Sequence, residues 1–127
     1  MEMDRGSALQ LWRDVLAQSV RSDSPDLSAR QMAILMAVYL TPPPHTVRGL
    51  ALSLNLGKPA VTRALDTLSG YGLLKRRKDP DDLRNVLVQR TVKGSIFLTE
   101  FGDMISETAK RLTEEDAAIP SRRQNAA

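Results

Sequence analysis

The chain has 127 residues, a length typical of one domain. Its composition, 42% hydrophobic and 26% charged, is that of a folded protein and excludes global disorder. The lack of cysteine excludes thiol chemistry and disulfides, and the single histidine excludes a multi-histidine zinc site within one chain. No phosphate-binding loop or nucleophile-elbow motif occurs. We therefore expect no enzyme, no cofactor and no metal.

Neither a membrane span nor a secretory signal is expected. The longest apolar run, from Met32 to Leu40, is shorter than the roughly 20 residues that cross a bilayer. The opening residues Met1 to Asp4 form no basic region followed by an apolar one. We expect a cytoplasmic protein.

The net charge of +3 is unevenly distributed. From Lys58 to Lys93 there are nine Lys and Arg and four Asp, so this segment carries +5 and the rest of the chain −2. A local basic surface favours a polyanionic partner. On charge alone, a merely solvated charged face is about equally acceptable.

The first two predicted elements are helices. Apolar residues at steps of three and four predict a helix from Ser7 to Val20, with Ser7 as its N-cap. Ser28 and Gln31 form a capping-box pattern that starts a second helix, which is apolar almost all round and should be buried. Three successive prolines, residues 42–44, end it.

Two shorter helices follow with the pattern of a helix-turn-helix. Thr46 caps the third helix, and Gly57 is expected in the left-handed conformation after its end. Pro59 lies in the first turn of the fourth helix, where proline is accepted. That helix buries one apolar face and leaves a small, polar face outward. Its apolar residues are Val61, Leu65 and Leu68.

A β-hairpin and a last helix complete the pattern. The pattern of residues 73–78 and 85–90 predicts two strands joined by a polar loop. A β-hairpin directly after a helix-turn-helix is called a wing. Thr91 caps the last helix, and Thr113 resembles a fresh cap further on. The sequence thus predicts a mainly α fold: a winged helix-turn-helix with a two- to three-stranded antiparallel wing sheet and flanking N- and C-terminal helices.

The expected organisation has four parts. Residues 1–24 and 91–119 are flanking helices, 25–90 the winged helix-turn-helix, and 120–127 a disordered tail. Because the flanking helices carry apolar stripes with no other role in a lone domain, we expect them to form a homodimer. The residues expected at this interface are Leu9, Trp12, Leu16, Phe97, Phe101, Met104, Ile105 and Leu112.

Several motifs in order resemble the MarR family of winged-helix transcriptional regulators. They are the run from Gly57 to Asp66, the segment from Gly72 to Leu74, the D-x-R of residues 82–84 and the T-x-x-G of residues 91–94. The resemblance covers about residues 27–98. The chain departs from the family in having Arg90 where an apolar residue is usual, and in ending near the start of a further dimerisation helix.

The resemblance implies a recognition helix that places its first turns in the DNA major groove. Arg63 is then the candidate for bidentate contact with guanine, and Lys58 for a phosphate. Pro59 and Ala60 are small enough for close approach, and Thr62 could bond a phosphate. The alternative for Arg63 is a pair with Asp66 or Thr67 on an exposed helix surface.

In the wing, the resemblance implies that Arg84 enters the minor groove and that Asp82 orients its guanidinium. Some of Arg76, Arg77 and Lys78 should reach phosphate, although charged edge residues also prevent strand-to-strand aggregation. Arg48 could contact a phosphate or simply be solvated. The aspartates of residues 79–82 lack the spacing of a calcium loop and are read as turn residues.

The sequence therefore predicts a DNA-binding transcriptional regulator, most simply a dimeric repressor that reads an inverted repeat in double-stranded DNA. The family often binds small aromatic effectors, and the sequence leaves an effector open. The alternative function is a winged-helix adaptor that binds protein and has only nonspecific affinity for nucleic acid.

Overall fold

The computed structural model describes residues 2–118, which form five helices and a three-stranded antiparallel sheet. This confirms the predicted fold class. The elements in chain order are α1 (Arg5–Arg21), α2 (Ala29–Leu40), β1 (His45–Thr46), α3 (Val47–Ser53), α4 (Lys58–Gly70), β2 (Leu74–Lys78), β3 (Val86–Arg90) and α5 (Val92–Ala118).

The chain divides into two compact units. One is Leu27–Leu98, and the other combines Met1–Asp26 with Thr99–Ala127, of which residues 2–26 and 99–118 are described. The first unit extends past the expected boundary at residue 90 because the start of α5 belongs to it. Phe97 and Leu98 are half-buried against its core. The expected disordered tail, residues 120–127, lies outside the described residues.

Helix α1 begins two residues earlier than expected, and its N-cap is Asp4 rather than Ser7. The Asp4 carboxylate accepts a hydrogen bond from the Ser7 backbone N–H at 2.7 Å, which makes Ser7 part of the first turn. A carboxylate also suits the positive end of the helix dipole. Further along the same helix, Gln18 donates to the buried Thr108 hydroxyl of α5 at 2.8 Å.

The capping box of α2 is confirmed, and α2 is the buried centre of the first unit. The Gln31 N–H donates to Ser28 Oγ at 3.1 Å, and the Ser28 N–H donates to Gln31 Oε1 at 2.9 Å. The core around α2 contains apolar residues from both sheet and helices. Its fully buried members include Ile34, Leu35, Val38, Val61, Leu65 and Leu68.

The turn between α3 and α4 differs from the prediction at one residue. Gly57 does not adopt the left-handed conformation; with φ −70° and ψ 148° it is the extended N-cap of α4. Asn55 takes the left-handed conformation instead, at φ 52°. Asparagine tolerates that region better than most residues, so the prediction for Gly57 was wrong. Thr46 caps α3 as predicted, accepting from the Gly49 N–H at 2.9 Å.

The sheet has the order β1-β3-β2, so the central strand is the last in sequence. The short strand β1 places His45 opposite Val88. Strand β2 pairs along β3, with Arg76 opposite Val88 and Arg77 opposite Leu87. Successive β2 side chains therefore alternate between the two faces of the sheet.

The junction between β3 and α5 explains two sequence features. The Thr91 hydroxyl accepts from the Gly94 N–H at 2.9 Å and so caps α5 as predicted. Arg90 donates to the carbonyl oxygens of Val38 and Thr41 at 2.9 and 3.0 Å. Its guanidinium thereby satisfies carbonyls at the C-terminal end of α2, where a cation is favoured.

Thr113 is not a new cap, because α5 continues through it to Ala118. Its hydroxyl donates to the Ala109 carbonyl oxygen four residues earlier, at 2.9 Å. A threonine inside a helix commonly satisfies its hydroxyl in this way.

Candidate nucleic-acid interface

Helix α4 buries one face and leaves its first turns accessible. Ala64 joins the predicted apolar residues on the buried face. Gly57 caps the helix without a side chain, and Pro59 needs no hydrogen-bond partner for its nitrogen in the first turn. Of the residues predicted to contact DNA, Lys58, Pro59, Thr62 and Arg63 are exposed and Ala60 is half-buried.

The Arg63 guanidinium has no ion-pair or hydrogen-bond partner within residues 2–118. The pairing with Asp66 considered from the sequence is not formed, because Asp66 Oδ1 lies 2.7 Å from an Arg76 guanidinium nitrogen. The Thr67 hydroxyl donates to the Arg63 backbone oxygen, at 3.4 Å, and not to its side chain. Arg63 is thus available to a ligand outside the chain.

The wing loop holds Arg84 through Asp82. The Arg84 guanidinium donates to both Asp82 carboxylate oxygens, at 3.1 and 3.2 Å, and the Arg84 backbone N–H donates to Asp82 Oδ1 at 3.1 Å. The Arg84 side chain is nevertheless 90% exposed. Asp82 therefore holds one edge of the Arg84 guanidinium, whose remaining donors face solvent.

These contacts lower the pKa of Asp82. The largest cause is the hydrogen bond from the Arg84 side chain, followed by the one from the Arg84 backbone, and the positive charge of Arg48 adds to them. Each favours the ionised carboxylate, and they outweigh the small opposing effect of burial. Asp82 is therefore ionised at neutral pH, and the pair with Arg84 is formed.

The three predicted cations of β2 are not brought together. Arg76 faces α4, where it pairs with Asp66. Arg77 points to the opposite face of the sheet, and Lys78 lies at the strand's end next to the loop. All three are exposed, but only Arg76 borders the groove between α4 and the wing.

This groove lies between α4, the start of α3 and the wing, and encloses about 730 Å³. The five cations that line it outnumber its single anion, Asp82, among the described residues. Arg48 is the cation for which the sequence left both phosphate contact and solvation open; it lies two residues after the Thr46 cap, at an exposed position in the first turn of α3. The charged residues of the groove are Arg48, Lys58, Arg63, Arg76, Asp82 and Arg84.

The residues predicted for dimerisation fall into both units. Leu9, Trp12 and Leu16 of α1 are exposed, Phe101 is buried, and Met104, Ile105 and Leu112 are half-buried. Phe97 differs from the others because it packs on the core of Leu27–Leu98. The α1 residues thus form an uncovered apolar stripe, which Val20 extends.

A metal site and a membrane span receive no support from the described part of the chain. Within residues 2–118 no three His, Cys, Asp or Glu side chains are grouped so that they could hold a metal ion. No helix there is both long and apolar enough to cross a membrane.

A winged helix-turn-helix with a cationic groove between α4 and the wing is typical of DNA-binding transcriptional regulators. The model of the MarR family matches residues 27–86. The match covers a little less than half of the chain, and the resemblance seen in the motifs of this segment is confirmed. Members of this family regulate transcription and are not enzymes.

Solved structures agree with this assignment. A mutant of MarR from E. coli complexed with operator DNA is 25% identical, with TM-score 0.63 over 84% of this chain and 71% of that one. A MarR-like transcriptional regulator from Thermotoga maritima is 26% identical, with TM-score 0.61 over 98% and 94%. A mutant of S. aureus MepR is 19% identical, with TM-score 0.70 over 97% and 95%, and shows the shared fold.

Proposed function

We propose that this protein is a homodimeric repressor that binds an inverted repeat in double-stranded DNA through α4 and the wing. The observation that carries the proposal is the groove between α4 and the wing, where five cations face one anion. A surface of this charge attracts phosphates and releases their counterions. A DNA-binding role also implies that the protein acts in the cytoplasm.

The recognition helix supplies the proposed base contacts. The Arg63 side chain lacks a partner in the part of the chain that the structure describes, and a guanidinium can donate two hydrogen bonds to guanine O6 and N7. Thr62 and Lys58 are placed one and five residues before it on the exposed side, where they can bond phosphates. The small residues Pro59 and Ala60 let the helix approach the base edges closely.

The wing supplies the proposed minor-groove contact. Asp82 holds one side of the Arg84 guanidinium, which reduces the conformational freedom that Arg84 would lose on binding. An arginine in a narrow minor groove gains from the concentrated negative potential there. Arg77 and Lys78 would add attraction to phosphates beyond the groove.

A homodimer would present two recognition helices to one DNA duplex. The exposed apolar stripe of α1 supports such an association, because a second copy would remove Leu9, Trp12 and Leu16 from water. The two half-sites would lie about one helical turn, ~10 bp, apart. Promoter occupancy would then repress transcription, and a change in the spacing of the two helices would release it.

Selection of genomic DNA fragments by the purified protein, repeated across a salt series, tests the proposal. We expect enrichment of one inverted repeat and a complex that persists at physiological salt. Even binding to all fragments, lost as salt rises, would indicate phosphate attraction alone and contradict the proposal. It would instead favour the adaptor function.

Matched variants test the contact residues on the enriched sequence. Arg63→Ala should cost ~1–3 kcal/mol of discrimination against a site with one base pair changed. Arg77→Ala removes the same charge from the other face of the wing and should leave discrimination unchanged. Equal losses of specific and nonspecific affinity in Arg63→Ala would contradict base readout by this residue.

A further inference from the structure

We infer that Asp66 and Arg76 form a positioning pair, which fixes the wing to the recognition helix and keeps Arg63 available for DNA. This inference rests on the function proposed above, and it assigns to Arg76 a role other than phosphate contact. Its basis is the 2.7 Å ion pair between Asp66 on α4 and Arg76 on β2.

The ion pair connects the recognition helix α4 to the wing strand β2 near the middle of each element. Asp66 follows Arg63 by three residues and so lies on the neighbouring part of the exposed helix surface. Arg76 is the middle residue of β2 and stands opposite the buried Val88 of the central strand. A tie between these positions sets how far the wing lies from α4.

The side chain of Arg76 is less exposed than that of Asp66, as expected if Arg76 contacts α4 and not DNA. Arg76, although charged, keeps only 31% of its side chain exposed, whereas Asp66 keeps 60%. The arginine is therefore turned toward α4 rather than outward to where a phosphate would lie. Arg84, the other wing arginine bordering the groove, is 90% exposed.

The ion pair between Asp66 and Arg76 also keeps Asp66 from pairing with the Arg63 guanidinium. At a spacing of i, i+3 an unpaired Asp66 would attract the Arg63 guanidinium along the helix surface. Arg76 pairs with Asp66 Oδ1 and offsets the charge of this carboxylate, so the pair presents no net charge to DNA. Arg63 has no side-chain partner within the described residues as a result.

Whether Asp66→Asn weakens or strengthens DNA binding distinguishes a positioning role of Asp66 from simple charge repulsion between Asp66 and DNA. Removing an anion beside DNA should strengthen binding if Asp66 is a bystander. If Asp66 positions the wing and Arg63, Asp66→Asn should weaken binding to the enriched sequence by about three- to fivefold, the factor given by one surface ion pair. Nonspecific affinity should not fall.

The variants Asp66→Asn, Arg76→Gln and both together should be compared with wild-type protein on the enriched sequence and on a scrambled one. We expect each single variant to lose specific affinity and the double variant to lose no more than either. The pair with exchanged charges, Asp66→Arg with Arg76→Asp, should recover part of the loss. Thermal unfolding of each variant checks that it is folded.

Controls remove the same charges without breaking the pair. Lys75→Gln in β2 and Asp81→Asn in the wing loop remove exposed charges outside the groove, and neither should change the preference for the enriched sequence. The slope of log affinity against log salt should be unchanged in Arg76→Gln, whereas loss of a phosphate contact would reduce it by about 0.9.

Three results would overturn the inference while leaving the proposed function intact. They are stronger or unchanged specific binding by Asp66→Asn, a reduced salt slope in Arg76→Gln, and additive losses in the double variant. If wild-type protein itself shows no sequence preference, the proposed function fails first and the inference falls with it.

Discussion

The hydroxyl group of Tyr39 lies in the space that a side chain at residue 94 would need. It accepts a hydrogen bond from the Thr91 N–H at 2.9 Å and lies 2.8 Å from the Leu73 carbonyl oxygen, to which it donates. A Cβ atom at Gly94 would collide with both this hydroxyl and the Leu73 oxygen. The glycine of the T-x-x-G motif thus allows α2, the wing and α5 to meet.

Gly94→Ala should destabilise the protein by at least ~1–3 kcal/mol, the usual cost of overpacking a well-filled site. The colliding Leu73 oxygen is backbone and cannot rotate away, so α5 or the wing must shift. Chemical denaturation followed by circular dichroism measures the free energy of unfolding.

Gly102→Ala in the same helix is the matched control. A Cβ there would meet no atom within 4 Å, and alanine is favoured over glycine inside a helix by about 0.5–1 kcal/mol. This variant should therefore be slightly stabilised. If the two substitutions changed the free energy of unfolding by similar amounts, the collision with Tyr39 would not explain why residue 94 is glycine.

Arg90 should contribute to stability although it is exposed. Arg90→Met removes two hydrogen bonds to carbonyl oxygens near the end of α2 and the contact with the Tyr39 ring, whose centroid is 5.9 Å from the guanidinium carbon. We expect a loss of about 1 kcal/mol, because solvent screens part of the interaction.

Arg77→Met provides the comparison for Arg90 in the neighbouring strand. The Arg77 side chain has no hydrogen bond or ion pair within the described residues, so its replacement should change the free energy of unfolding by less than about 0.5 kcal/mol. Equal effects in thermal denaturation would argue against the capping role of Arg90.

The Asp82–Arg84 contact should respond to acid but not to changes near neutral pH. Because the folded-state pKa of Asp82 is lowered, its stabilising contribution is present above the pKa of the unfolded chain and is lost as pH falls through the folded value. Carbon-detected NMR titration of the Asp82 carboxyl group measures this pKa. Arg84→Gln should raise it toward that of an ordinary aspartate, and an unchanged midpoint would refute the cause assigned here.

The α1 stripe should govern association. Trp12→Glu or Leu16→Glu would place a charge in the proposed interface, where burial without a partner is costly. Sedimentation equilibrium should show a dimer for the wild-type chain and a shift toward monomer for either variant. Gln10→Glu, at an exposed polar position of the same helix, should remain dimeric, and loss of its dimer would mean that added charge alone disrupts association.

Local interactions allowed much of the fold to be predicted from the sequence. The Ser28 and Gln31 capping box, the Thr46 and Thr91 caps and the apolar face of α4 all depend on steps of three or four residues along the chain. The α1 start was missed because a cap at Asp4 and a cap at Ser7 both fit the same apolar spacing. The predicted sheet had two or three strands, but the position of β1 was not predicted because two residues carry no detectable periodicity.

The amino-acid sequence by itself determined the order of the helices and the hairpin, the chemical types gathered in residues 58–84 and the D-x-R of the wing. Only the tertiary structure decided that Asp66 pairs with Arg76 rather than Arg63, that Arg48 joins the groove and that Arg90 caps α2. Caps and periodicity follow from short-range geometry along the chain. Partners ten or fifty residues apart depend on how strands and helices pack, and no local pattern specifies that.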